Sequence, residues 1–229
     1  EKQTVKCYAL IRVVYHTFIL LNTRRQVNVV QEKLLPRTLG ELLIQLDSQG
    51  ITDHRRYKAI KSYLDEKARR KGVPLSGTFE LTPLCNLDCK MCYVHLNREQ
   101  LCGAELLSVQ QWKSIIDDAV NAGMMYARLT GGECLSYPGF REIYLHLRAS
   151  GVETSILSNG VLMNEETVAF FKEHKPAMIQ ITLYGADEDG YERVTGQRMF
   201  NTVMENIRRL QDTDIPLNVV TTPSEYMTD

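Results

Sequence analysis

No run of eighteen apolar residues occurs in these 229 residues, so no segment reads as a membrane-spanning helix. The nearest candidate, residues 8–22, is broken by Arg12 and His16 and alternates as a strand would. Excess charge of one sign is lacking too. With 27 basic and 28 acidic residues the net charge is -1, which gives nucleic acid or an anionic membrane no electrostatic hold as main partner. Arg55-Arg56 and Arg69-Arg70-Lys71 sit in mixed helical sequence and read as solvated faces. A secretory signal is not legible. Cysteines number only six, clustered too tightly, in too long a chain, for the disulfide framework of a small secreted protein. A reducing cytoplasm is the expectation, because thiolate ligands must stay unoxidised.

Three of the six cysteines stand in one short run, Thr-Pro-Leu-Cys-Asn-Leu-Asp-Cys-Lys-Met-Cys-Tyr, as Cys85, Cys89 and Cys92. The spacing C-x3-C-x2-C lets three thiolates converge on one inorganic centre with a fourth position open. An iron–sulfur cube held by three protein ligands has one iron free to take a small molecule. The competing reading is a structural zinc site with His95 or Cys102 as fourth ligand. Structural zinc usually uses two paired knuckles, however, and one is present. Cys7 reads as a small buried hydrophobe and Cys134 as a packing thiol. Cys102 lies in a loop, where it could ligate an additional cluster.

The first 75 residues differ in pattern from the rest. Residues 5–14 and 18–30 are β-branched and read as strands. Thr38 caps a helical pattern of Leu39, Leu42, Leu43 and Leu46, and a second follows from Asp53 to Gly72-Val73-Pro74. Residues 1–75 therefore form a small N-terminal α+β module. From residue 76, short apolar strands alternate with amphipathic helices. Strands are predicted at 78–82, 125–130, 152–157, 178–183 and 217–221, with helices from Ser108, Pro138, Asn164 and Phe200, and a loop over 184–196. Repeated β-then-α units give a parallel sheet with chemistry at the carboxyl ends of the strands. Five strands do not close a barrel, so the chain is expected to be part of a longer protein.

Those carboxyl ends carry Thr130-Gly131-Gly132-Glu133, Ser158-Asn159-Gly160 and, at the fourth strand, Thr182 followed by Tyr191-Glu192-Arg193-Val194-Thr195-Gly196. Each alone reads as a turn or a surface segment. Gly131 and Gly132 let backbone approach a ligand closely, Glu133 offers an acceptor, and Arg193 can fork onto a carboxylate.

In order, with the cysteine loop, these motifs resemble those of the radical S-adenosylmethionine (SAM) superfamily over residues 76–229. The resemblance implies an α/β fold, a partial (β/α)6 TIM-like barrel, holding a [4Fe–4S] cluster on Cys85, Cys89 and Cys92. It also implies SAM bound by Gly131, Gly132, Glu133, Ser158, Asn159, Thr182 and Arg193, with the aromatic Tyr93 directly after the third cysteine. Cys134 takes the place of the family's usual proline. The implied activity is reductive cleavage of SAM to a 5′-deoxyadenosyl radical that abstracts a substrate hydrogen. The cofactor carries that chemistry and the protein supplies ligation and orientation. No further catalytic residue is assigned.

The wording at 130–135 and 183–196 looks most like the branch that modifies peptides and proteins, whose members often carry a C-terminal SPASM domain with auxiliary clusters. Residues 1–75 are then expected to bind a leader peptide, and flavodoxin or ferredoxin to supply the electron. A small-molecule cofactor-biosynthesis enzyme and, in another class, a non-enzymatic zinc-binding interaction module are the alternatives.

Overall fold

A computed structural model describes residues 38–92, 96, 101, 105–223 and 225–227. The strands expected within residues 5–30 lie outside them, as do Cys7, Tyr93, His95 and Cys102. Helices α1 (Leu39–Ser48) and α2 (Asp53–Lys71) form where the periodicity places them. Thr38 Oγ1 accepts the Glu41 N–H at 3.1 Å, filling one of the unpartnered donors of the first turn of α1. Leu42 and Leu46 pack with Tyr63 of α2 in a cluster separate from the main core. Helix α2 is also tied to the sheet: Tyr57 donates to Glu153 at 2.9 Å, and Lys61 Nζ stands 3.1 Å from the Tyr126 ring centroid. No helix among the described residues is long and apolar enough to cross a membrane.

Five strands follow, β1 (Ser76–Glu80), β2 (Tyr126–Thr130), β3 (Glu153–Ser158), β4 (Met178–Thr182) and β5 (Leu217–Val220). They pair in sequence order, every neighbour parallel. The helices between them are α3 (Val109–Asn121), α4 (Phe140–Ala149), α5 (Glu165–Glu173), α6 (Glu188–Thr195) and α7 (Phe200–Gln211). This is the arc of a β/α barrel, the fold class the sequence implies.

Register divides the sheet into two faces. Phe79, Leu129, Ile156 and Ile179 are successive partners across four strands, and they are buried with Trp112, Ile116, Ile143, Leu147 and Phe171 from the helices. One residue further along each strand, on the opposite face, Glu80, Thr130, Leu157, Gln180 and Asn218 fall in line. That second row is polar except at Leu157, and Asn218 Nδ2 donates to Gln180 Oε1 at 3.3 Å. Strand alternation thus gives one face to the core and the other to a polar trough.

Helix α3 carries a capping box in which Ser108 Oγ accepts the Gln111 N–H at 3.3 Å and Gln111 Oε1 accepts the Ser108 N–H at 2.8 Å. Ser108→Ala should cost about 1 kcal/mol, a fall of about 2–4 °C in melting temperature for a domain of this size. An unchanged melting temperature would contradict the assignment.

Two expectations need correction. Pro138 does not open α4. A single 3-10 turn, Cys134–Ser136, intervenes because Glu133 Oε1 accepts the Leu135 N–H at 3.1 Å, and the helix starts at Phe140. Residues 184–196 are not all loop, since α6 lies within them. Asp187 Oδ1 caps it by accepting the Gly190 N–H at 2.7 Å, and its inner face is Tyr191, Val194 and Thr195. Glu188-Asp189-Gly190 disguises so short a helix as a turn.

Candidate active site

The cysteine loop leaves the carboxyl end of β1 and is fastened by backbone on two sides. Toward β2, the Gly132 N–H donates to Thr82 O at 2.6 Å and the Glu133 N–H to Leu84 O at 3.0 Å, prolonging the β1–β2 ladder beyond both strands. A Cβ on Gly131 would stand 2.4 Å from Thr82 O, and one on Gly132 2.3 Å from Leu84 O; Gly131 also has φ +149°. The glycine pair is what lets these two chain segments touch. On the other side, the Asp88 and Lys90 N–H groups donate to Thr195 O at 2.9 Å and Val194 O at 3.0 Å. Carbonyls in the last turn of a helix have no partner inside it, so the end of α6 grips the loop. The Val194-Thr195-Gly196 motif, read from sequence as part of a strand-end loop, serves here as that clamp.

Glu133 is buried, at 1% exposure, and its carboxylate turns inward. Oε2 accepts the Asn159 N–H at 2.8 Å, Oε1 accepts the Leu135 N–H, and Ser158 Oγ lies 3.0 Å from Oε1. The carboxylate therefore joins the ends of β2 and β3. Burial raises its pKa, and the bonds from Asn159, Leu135 and Ser158 pull it back. A folded value above the ordinary one means the folded protein keeps this proton to higher pH than the unfolded chain does. The stability this group contributes is therefore full below about pH 4.5 and declines as pH rises through the folded value. Denaturant unfolding across that range should show the decline, and Glu133→Gln should flatten it; the same slope in both proteins would contradict this account.

Asn159 extends the same network to the cysteines, with Nδ2 at 2.8 Å from Asn86 Oδ1 and 3.6 Å from Cys85 Sγ. Cys85, Glu133, Ser158 and Asn159, spread over 75 residues of sequence, thus meet in one hydrogen-bonded group. Thr182 hydrogen-bonds Tyr184, whose ring packs edge-on to Tyr191 with centroids 6.1 Å apart. Arg193 is exposed on the last turn of α6, with Nη2 lying over Gly190. Tyr93 lies outside the described residues. Cys134 is fully buried with Sγ 3.3 Å from Leu157 O, and burial pushes its thiol far up, as a packing role requires.

Cys85 and Cys89 are half-buried and Cys92 is exposed, and none of the three is in a disulfide. Burial raises Cys85, and it pushes Cys89 up to about 12 with help from the neighbouring Cys85 and Cys92. The three thiols therefore lie within one another's electrostatic reach. Yet no three His, Cys, Asp or Glu side chains among the described residues gather closely enough to hold a single ion. Tyr184 and Tyr191 lie within electrostatic reach of Cys89, both raised by burial and then by that cysteine. The Tyr191 hydroxyl is buried without a partner among the described residues. A buried hydroxyl is normally hydrogen-bonded, so an orphan here fits a site made for a further polar body. The sequence placed Tyr191 at the head of the fourth strand-end motif, two residues before Arg193, but did not mark its hydroxyl as buried.

A parallel β/α arc with three cysteines on its first loop, glycines at its second strand end and a polar third is a barrel-type scaffold with its distinctive residues gathered at the carboxyl ends of its strands. Residues 79–227 match the model of the Radical SAM superfamily, and the chain belongs to it. Its members are enzymes that use a [4Fe–4S] cluster and S-adenosylmethionine. The antilisterial bacteriocin subtilosin biosynthesis protein AlbA of Bacillus subtilis is 30% identical over 149 residues, 64% of this chain and 33% of AlbA. The sporulation killing factor maturation protein SkfB of the same organism is 28% identical over 158 residues, 69% of this chain and 38% of SkfB. The chain thus spans well under half the length of either relative. Streptococcus suis SuiB bound to its precursor peptide SuiA shares the fold, with TM-score 0.57 at 16% identity, covering 80% of this chain and 46% of SuiB.

Proposed function

We propose that this chain is the catalytic core of a radical SAM enzyme that modifies a peptide or protein substrate. The observation that carries the reading is the cysteine loop, fastened to Gly132 and Glu133 on one side and to Val194 and Thr195 on the other. Such fastening fixes the backbone on both sides of Cys85 and Cys89 before any metal arrives, so less of the chain has to be ordered on ligation. When bound, the cluster supplies one electron that cleaves SAM into methionine and a 5′-deoxyadenosyl radical able to abstract a substrate hydrogen.

The chain's own residues do the rest. Cys85, Cys89 and Cys92 would hold the cluster, three thiolates on one loop. Backbone at Gly131 and Gly132, with Ser158, Asn159, Thr182 and Arg193, lines the cofactor pocket, and the inward-turned Glu133 keeps the second and third strand ends in register. Tyr184 and Tyr191 exclude water from behind the cysteines. The polar row of Glu80, Thr130, Gln180 and Asn218 offers donors and acceptors to a peptide backbone, as the face of a barrel interior can. The names of AlbA, a bacteriocin biosynthesis protein, and SkfB, a killing factor maturation protein, together with the precursor peptide bound to SuiB, support a peptide or protein as substrate. Residues 1–75 are the proposed leader-binding module, and flavodoxin or ferredoxin in the cytoplasm donates the electron.

The test uses the intact protein without oxygen, with SAM, a reductant and deuterated precursor peptides encoded beside its gene. Deuterium should pass from one peptide into 5′-deoxyadenosine while that peptide changes mass. Transfer from no peptide, with turnover stimulated by a small metabolite instead, would overturn the substrate class.

A further inference from the structure

Asn159, only 6% exposed at the end of β3, has its carboxamide fixed at both ends. Oδ1 accepts the Val161 N–H at 3.0 Å, so Nδ2 is the end that faces the cysteine loop. A flipped amide would set oxygen against Asn86 Oδ1 and nitrogen against the Val161 N–H, so the network admits one orientation. The Leu87 N–H approaches the same Cys85 sulfur at 3.4 Å. As a thiol, Cys85 can itself point a proton at Asn86 Oδ1, 3.7 Å away. As a thiolate it can only accept, and two N–H groups then converge on one sulfur.

We propose that Asn159 is a positioning residue for the metal cluster, donating its carboxamide N–H to the Cys85 thiolate and so raising the cluster's reduction potential. The inference rests on the cluster proposed at Cys85, Cys89 and Cys92, and it gives Asn159 a task beyond the SAM pocket that the resemblance implies. Hydrogen bonds to cluster sulfurs withdraw charge and favour the reduced state, which carries one more negative charge. Partners that orient a ligand from outside are part of what tunes a metal site. The Asn159 backbone is in turn fixed by Glu133 Oε2, so the second and third strand-end motifs act on the cluster through one amide.

The intact protein is reconstituted anaerobically and titrated potentiometrically without SAM, the reduced cluster being followed by electron paramagnetic resonance. Asn159→Leu removes the donor. Asn159→Asp keeps the oxygen that receives Val161 but turns a carboxylate toward the sulfur. Both variants should lower the midpoint potential, the aspartate further, at unchanged iron and sulfide per chain. Midpoints equal to wild type in both overturn the inference. Where a variant assembles no cluster, an Asn86→Asp background labelled with amide-15N asparagine decides: a 15N coupling to the reduced cluster is expected, and its absence overturns the proposal. A wild-type protein that takes up zinc and no iron refutes the cluster itself, which metal analysis reveals before any potential is measured.

Discussion

Cys89→Ser, purified and reconstituted without oxygen, is expected to lose [4Fe–4S] absorbance and to form no 5′-deoxyadenosine above the level of reductant and SAM alone. The hydroxyl is a poor ligand for iron that binds sulfur, and a cube left with two cysteines has no described side chain in position to replace the third. The loop itself should survive, because its anchors are backbone: Asp88 and Lys90 N–H groups on α6, and Thr82 and Leu84 carbonyls under Gly132 and Glu133. Cys89 also packs against the core, so the metal-free variant should lose about 1 kcal/mol, a typical cost for a point substitution, and stay folded. Cys134→Ser separates the two kinds of cysteine. It lies buried against Leu157 O and should load a full cluster. A Cys89→Ser protein that holds the complete cluster would contradict the ligand assignment.

Gly132→Ala carries the second large effect. Its Cβ would sit 2.3 Å from Leu84 O and 2.7 Å from Pro83 O, both backbone atoms of the segment that leads into Cys85. Neither strand end can retreat without breaking the Gly132–Thr82 and Glu133–Leu84 bonds. Overpacking of this kind costs about 3 kcal/mol, and displacement of Cys85 should lower iron content along with stability. Gly151→Ala is the control, since its φ of +75° is equally glycine-like but nothing lies within 4 Å of the added carbon. It should cost about 1 kcal/mol, the strain of a left-handed residue alone, and leave iron content unchanged. Equal iron loading in Gly132→Ala and wild type would show that the two segments need not touch.

Much of the fold was legible because its signals are local. Asn164 and Ser108 cap helices where the apolar period begins, and β-branched runs mark the strands. The cysteine loop stood out by its spacing, but its reading leaned on the later strand-end motifs. What escaped depends on contacts distant in sequence. Helix α6 has eight residues, too few for a periodic stripe, and exists because Tyr191 and Val194 find a core to enter. The polar row of Gln180 and Asn218 emerges only when strand register is known, since alternation gives each residue a face but not its partners. Glu133 read as an acceptor for a ligand. Its neighbours in space, Ser158 and Asn159, turn the carboxylate inward, and only the folded chain brings them there.

The most direct test of the account is electron paramagnetic resonance of the intact, anaerobically reconstituted and reduced protein before and after addition of SAM, with product analysis of the same sample. A cluster held at three corners predicts a [4Fe–4S] signal that shifts when SAM takes the remaining iron, followed by methionine and 5′-deoxyadenosine. A signal indifferent to SAM, or a silent protein loaded with zinc, in either case without nucleoside product, would contradict it.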